Sequence, residues 1–280
     1  MQRFVGLLLL VGCNTDHEAA STPIDSSVDI DALFYEDAPL DAFIADPRPS
    51  SMRMTKRPVG TTDSTSGFWE YLPPNYNPNA APIPVLVALH GLGEDGDGSS
   101  TGLDTLGNVA IQSLIRHDQW PNTRPFIVLS PQHPGGGCFG AAEIHDFITF
   151  ATTHYHVDSN NVFLTGLSCG AIGAWAYLDA YLDQQIAAQV TIAGDGRAAW
   201  ADRHCDLGKV AIWDFHGDAD PTVNITGSNV PMTGLAACPA PPRKDAQYTV
   251  YPGVGHDSWD MTYNLSAGHD IYAWLLAHHK

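Results

Sequence analysis

Ser168 sits between Gly166 and Gly170 in the stretch VFLTGLSCGAIGAW, residues 162–175, where a β-branched apolar run turns into an alanine-rich one. The pattern G-x-S-x-G at a strand-to-helix corner holds a serine hydroxyl on a strained, exposed turn, and its glycines let the flanking backbones approach closely. A helix opening just after the serine also aims amide N–H groups at the reacting centre. Such a hydroxyl becomes a nucleophile only beside a general base, and the base needs a carboxylate to orient it. Both types follow downstream at the ends of apolar runs: Asp220 in FHGDADPTV and His256 in YPGVGHDSW. Serine, then acid, then histidine is one of the chain orders in which this constellation occurs. An oxyanion formed on attack needs N–H donors. The amides of Cys169, the residue after the serine, and of Leu92 in ALHGLGEDG are the two expected, with Gly91 or Gly93 as substitutes for Leu92.

Other residues of the same types need a reading too. Asp218 is the rival acid, two residues before Asp220, while Asp214 falls inside an apolar run and reads as a local hydrogen-bond partner. His90, His133, His145, His154, His156 and His216 read as structural or surface residues, because none lies in the loop after the last strand. Trp259, just past His256, either contacts substrate or packs on the last helix. DGDGSSTGLD, residues 95–104, invites comparison with a calcium loop, but Ser100 and Leu106 stand where an EF-hand wants Gly and Glu. No metal or other cofactor is assigned.

These groups need a frame that brings them together. Strand signals, several of them continuous apolar runs, stand at 67–72, 84–90, 125–131, 161–167, 187–194, 210–217 and 246–253. Helices are expected near 103–117, 141–155, 169–184, 228–237 and 267–279. Strands alternating with helices give an α/β class, a mostly parallel central sheet with helices on both faces. Such sheets place their sites at the C-terminal ends of strands, where the serine, acid and histidine all fall.

The 280 residues carry a formal charge of -18, which opposes nucleic acid as a partner. Residues 14–47 hold nine Asp or Glu and no Lys or Arg, the composition of a flexible tether. Before it, MQRFVGLLLLVGCN has an apolar run too short to span a bilayer but suited to an export signal. LVGC resembles the lipobox of bacterial lipoproteins, which implies a signal at 1–12, lipid on Cys13, a tether at 13–54 and a catalytic domain at 55–280. A plain secretory signal and a cytosolic protein with a chance apolar start are the alternatives. Export places the other cysteines where disulfides persist. Cys205 with Cys238 is the preferred pair and Cys138 with Cys169 its complement, although Cys169 also reads as a free buried residue.

LPPNY, LVALHGLGEDGD, FIVLSPQHP, VFLTGLSCGAIGAW, WDFHGDADPTV and VYPGVGHDSWD, followed by IYAWLL, span most of residues 67–279. In order and spacing they resemble the α/β-hydrolase superfamily, and more closely its secreted esterases grouped with polyhydroxybutyrate depolymerases and feruloyl esterases. The resemblance implies the α/β-hydrolase fold, Ser168, Asp220 and His256 as the triad, and a preference for Asp220 over Asp218 through the form HGxxDxxV. It implies cleavage of small or polymer-linked carboxylic esters through an acyl-enzyme, without a cofactor, with membrane contact only through the lipid at Cys13. Two readings on the same fold stand beside it: a serine peptidase of the prolyl oligopeptidase type, for which no propeller-sized extension is present, and a catalytically silent surface binding protein. Ala171 and Ile172 depart from the small residues common after the motif, and Cys138 and Cys169 sit near the expected site. Both departures leave the pocket's shape open.

Overall fold

The computed structural model describes residues 46–239 and 245–280. The expected signal at 1–12, Cys13 and the acidic segment through residue 45 lie outside the described residues. Eight strands form one sheet: β1 (Met54–Arg57), β2 (Phe68–Tyr71), β3 (Ile83–Leu89), β4 (Ile127–Pro131), β5 (Val157–Leu167), β6 (Ala188–Ile192), β7 (Ala211–Gly217) and β8 (Ala246–Tyr251). Their spatial order is β1-β2-β4-β3-β5-β6-β7-β8. The first two pair antiparallel, and β4 through β8 run parallel.

The apolar runs are continuous because both faces of the sheet are covered. Along β3, Val85, Val87 and Leu89 point into one core layer, and Leu86 and Ala88 into the other. The first layer is closed by α2 (Ala141–His154), α3 (Cys169–Tyr181), α4 (Arg197–Arg203) and α5 (Thr226–Ala237), and the second by α1 (Ala110–Arg116), α6 (Trp259–Tyr263) and α7 (Ile271–Leu276). Fully burying one such aliphatic or aromatic side chain contributes about 1.5–3 kcal/mol, so the sheet is clamped along its whole length.

Several elements differ from expectation. β1 reads MTKR, with no apolar alternation, and owes its extended form to its ladder with β2. The stretch before it is packed as well: Ser50 and Arg53 are buried, and the Ser50 hydroxyl donates to the Ile115 carbonyl at 2.9 Å. The expected tether boundary at residue 54 therefore falls inside packed structure. The helix expected over 103–117 begins only at Ala110, after two short 3-10 turns that contain Gly102 and Gly107. α4 and α6 were not expected, and α7 is shorter than foreseen, starting where Asp270 accepts the Ala273 N–H. Both cysteine pairings form, Cys138–Cys169 and Cys205–Cys238. Among the described residues, no helix is long and apolar enough to cross a membrane.

Candidate active site

Ser168 occupies the corner between β5 and α3 with φ 49° and ψ −117°, a left-handed strain for a residue with a Cβ. Its own N–H donates to the Ile192 carbonyl at 2.8 Å, which locks the corner onto β6. The two glycines are sterically obligatory. A Cβ on Gly166 would stand 2.5 Å from the Gly170 backbone, and one on Gly170 would stand 2.5 Å from the carbonyls of Leu89 and His90.

The loops after β7 and β8 bring the other two residues to this corner. Ser168 Oγ lies 2.8 Å from His256 Nε2, and His256 Nδ1 lies 2.7 Å from Asp220 Oδ2. A carboxylate only accepts, so Nδ1 carries the imidazole proton and Nε2 presents its lone pair to the serine hydroxyl. Burial works against the charge on Asp220. The hydrogen bonds from His256 and from the N–H groups of Thr222 and Val223, at 2.7 and 3.0 Å, outweigh it and hold the carboxyl below its usual range. The rival acid is committed elsewhere: Asp218 Oδ1 accepts the Gly253 N–H at 2.6 Å. Trp259 meets His256 edge-on, with ring centroids 5.1 Å apart, packs against the same core layer as α7 and lines the cavity beside Ser168.

Gly91, after β3, lies against the corner, since a Cβ on it would stand 3.7 Å from Ser168 Cβ. The turn is held from behind by His90, whose Nδ1 donates to the Gly91 carbonyl at 2.6 Å while Nε2 accepts the His133 N–H at 2.9 Å. Burial pushes the His90 imidazole down to about 4, which fits this neutral bridging role. Leu92 and Cys169 line the same cavity as Ser168, a hollow of about 450 Å³. As the first residue of α3, Cys169 has an amide with no acceptor inside its helix. Val109, Leu167, Ile172, Val223 and the Cys138–Cys169 disulfide supply apolar wall, and Glu94 adds a carboxyl whose pKa burial raises. Of these wall residues Ile172 was traceable, because it stands one helical turn after Ser168. Val109 and Glu94 come from loops that carry no such signal. Among the described residues, no group of three or more His, Cys, Asp or Glu is placed to hold a metal ion.

No protein-family model and no curated protein matches the sequence. Solved structures do match in shape. A thermostable esterase aligns with a TM-score of 0.63 at 23% identity over 81% of this chain, which spans 62% of that protein's length. The feruloyl esterase module from Clostridium thermocellum, solved as a mutant with sinapinate, aligns with a TM-score of 0.56 at 18% identity over 84% of this chain and 95% of that one. Acetyl xylan esterase from Aspergillus awamori gives 0.52 at 18% identity over 75% and 98% of the two chains. Likeness at this level of identity establishes architecture, and with the eight-stranded, mostly parallel sheet it places the chain in the α/β-hydrolase fold.

Proposed function

We propose that the chain is a serine hydrolase of carboxylic esters. The observation that carries this reading is the unbroken hydrogen-bonded line from Ser168 through His256 to Asp220 at the wall of an apolar cavity. His256 takes the Ser168 proton as Oγ attacks the ester carbonyl, then gives it to the departing alcohol. Asp220 fixes the imidazole tautomer and balances its positive form. The resulting acyl-enzyme is attacked by water, which His256 deprotonates, and the acid leaves. The amides of Cys169 and Leu92 serve the oxyanion.

The walls favour an apolar acyl group, and the neighbours named for feruloyl and acetyl xylan esters make polymer-linked substrates as eligible as small ones. Two disulfides suit an oxidising compartment. Export, with lipid on Cys13, belongs to the same reading; an unacylated Cys13 in mass analysis of membrane-extracted protein would remove the anchor.

The test is hydrolysis of p-nitrophenyl acetate, butyrate and octanoate by the wild type and by Ser168→Ala. The variant should lose several orders of magnitude in kcat, and adding His256→Ala should cost little more, because the triad acts as a unit. Equal rates in the folded wild type and Ser168→Ala would overturn the reading.

A further inference from the structure

His216, at the end of β7, is fully buried behind the triad. Its Nε2 lies 3.0 Å from the Val223 carbonyl oxygen and 3.2 Å from Asp220 Oδ2, the oxygen that also holds His256 Nδ1. Both neighbours only accept, so Nε2 carries a proton; it donates to the Val223 carbonyl and lies in polar contact with Asp220 Oδ2. On the ring's other side Nδ1 lies 2.7 Å from Ser228 Oγ, and in a neutral imidazole it accepts from that hydroxyl. Ser228, buried on α5, stands in turn beside the carboxyl of Asp214, which takes the Thr191 hydroxyl at 2.5 Å. The donors therefore run from Ser228 to His216 and from His216 to the Val223 carbonyl, beside the Asp220 carboxylate.

We infer that His216 is a positioning residue for the triad acid, its Nε2–H tying down the Val223 carbonyl while its ring edge lies against Asp220 Oδ2, and kept in the donating tautomer by Ser228. The inference rests on the proposed triad. Val223 also gives its N–H to Asp220 Oδ1, so a Val223 carbonyl held by His216 fixes the loop that aims the carboxylate, and the His256 ring is fixed with it. The Nε2–H edge of His216, 3.2 Å from Asp220 Oδ2, also draws charge from that oxygen and tempers how strongly Asp220 stabilises a protonated His256. The charged and titratable groups facing His216 are Asp220, Asp195 and, through Ser228, Asp214. Those facing His256 are Asp220 and, across the cavity, Glu94. Asp195 is already held by Arg197 at 2.6 Å.

His216→Leu removes the donor, and His216→Gln returns an N–H near the position of Nε2. In His216→Leu, kcat should fall on the order of tenfold with KM little changed. The acid limb of kcat/KM should move up by about half a pH unit, because an Asp220 without the imidazole edge beside it stabilises the imidazolium more strongly. His216→Gln should recover both. A folded His216→Leu protein with the wild-type limb and kcat would overturn the inference. If His216→Leu does not fold, Ser228→Ala decides: an upward limb shift supports the inference, and an unmoved limb overturns it. Ser168→Ala, run alongside, separates the two failures, since full activity there would sink the triad itself, whereas lost activity there with an unmoved limb in the His216 variants would sink only the role of His216.

Discussion

Two carboxyl groups at one edge of the site have opposite fates. The side chains of Asp220, in the loop after β7, and of Asp214, inside β7, are both fully buried. Yet the pKa of Asp220 is lowered, and that of Asp214 is pushed up to about 7. Asp214 lies wholly inside the strand layer whereas Asp220 belongs to a partly exposed loop, so desolvation and donors together make the difference. Asp220 receives two backbone N–H groups and the His256 ring N–H at good distances. Asp214 has one good donor, Thr191, while its Oδ2 has no partner of good geometry, with Ser228 and Trp175 merely standing beside it. A loop can turn its amides toward a carboxylate, whereas in a strand the amides are spent on the ladder.

The contrast breaks most visibly at Asp220. Asp220→Asn should lower kcat on the order of 10⁴-fold, because the amide no longer enforces the tautomer that presents a lone pair to Ser168. Asp218→Asn should stay within a few-fold of wild type, since that carboxylate serves the Gly253 amide. Steady-state ester hydrolysis by the two variants checks both, and the reverse ranking would transfer the acid's role to Asp218.

How far the sequence alone reaches follows the same division between local and distant causes. The Ser168 corner was legible because its constraints are local: two glycines that cannot carry a Cβ, an apolar run before them and a helix after. Most strands were legible because burial on both faces leaves continuous apolar runs. β1 was not, because its extended form comes from a partner far along the chain rather than from its own residues. α6 is five residues long and opens on Trp259, too short to display a helical period. His216 read as a structural residue because its partners, Ser228 and the Asp220 carboxyl, meet it only once α5 and the loop after β7 are folded. The cavity walls stayed open for the same reason: they gather residues from loops after several strands.

The next effect is on stability and has opposite signs at the two positions. Asp220 binds its proton more weakly folded than unfolded, so its contribution is present above about pH 4 and is lost as the pH falls through the lower folded value. Asp214 binds its proton more tightly when folded. Its burden is absent below about pH 4, grows as the unfolded chain ionises first, and levels off above about pH 7. Asp214→Asn should therefore be more stable than the wild type at pH 8 by on the order of a few kcal/mol, an advantage that shrinks toward pH 4. Urea unfolding across that range measures it, and a stability difference that does not vary with pH would show that Asp214 titrates normally.

Thr191→Val makes the finest test, because it removes a single donor from the poorly served carboxyl and nearly preserves its shape. The Thr191 hydroxyl donates to Asp214 Oδ1 at 2.5 Å in a fully buried pair. At pH 5 the variant loses a hydrogen bond to a neutral acid, which costs about 1 kcal/mol, whereas at pH 8 it loses one to a carboxylate, which costs about 2 kcal/mol. The extra loss at high pH raises the folded pKa of Asp214 further, so the levelling of stability moves to higher pH. An equal loss at both pH values would mean that the hydroxyl serves packing alone, and the contrast between the two carboxyls would then rest on desolvation without any share for donors at Asp214.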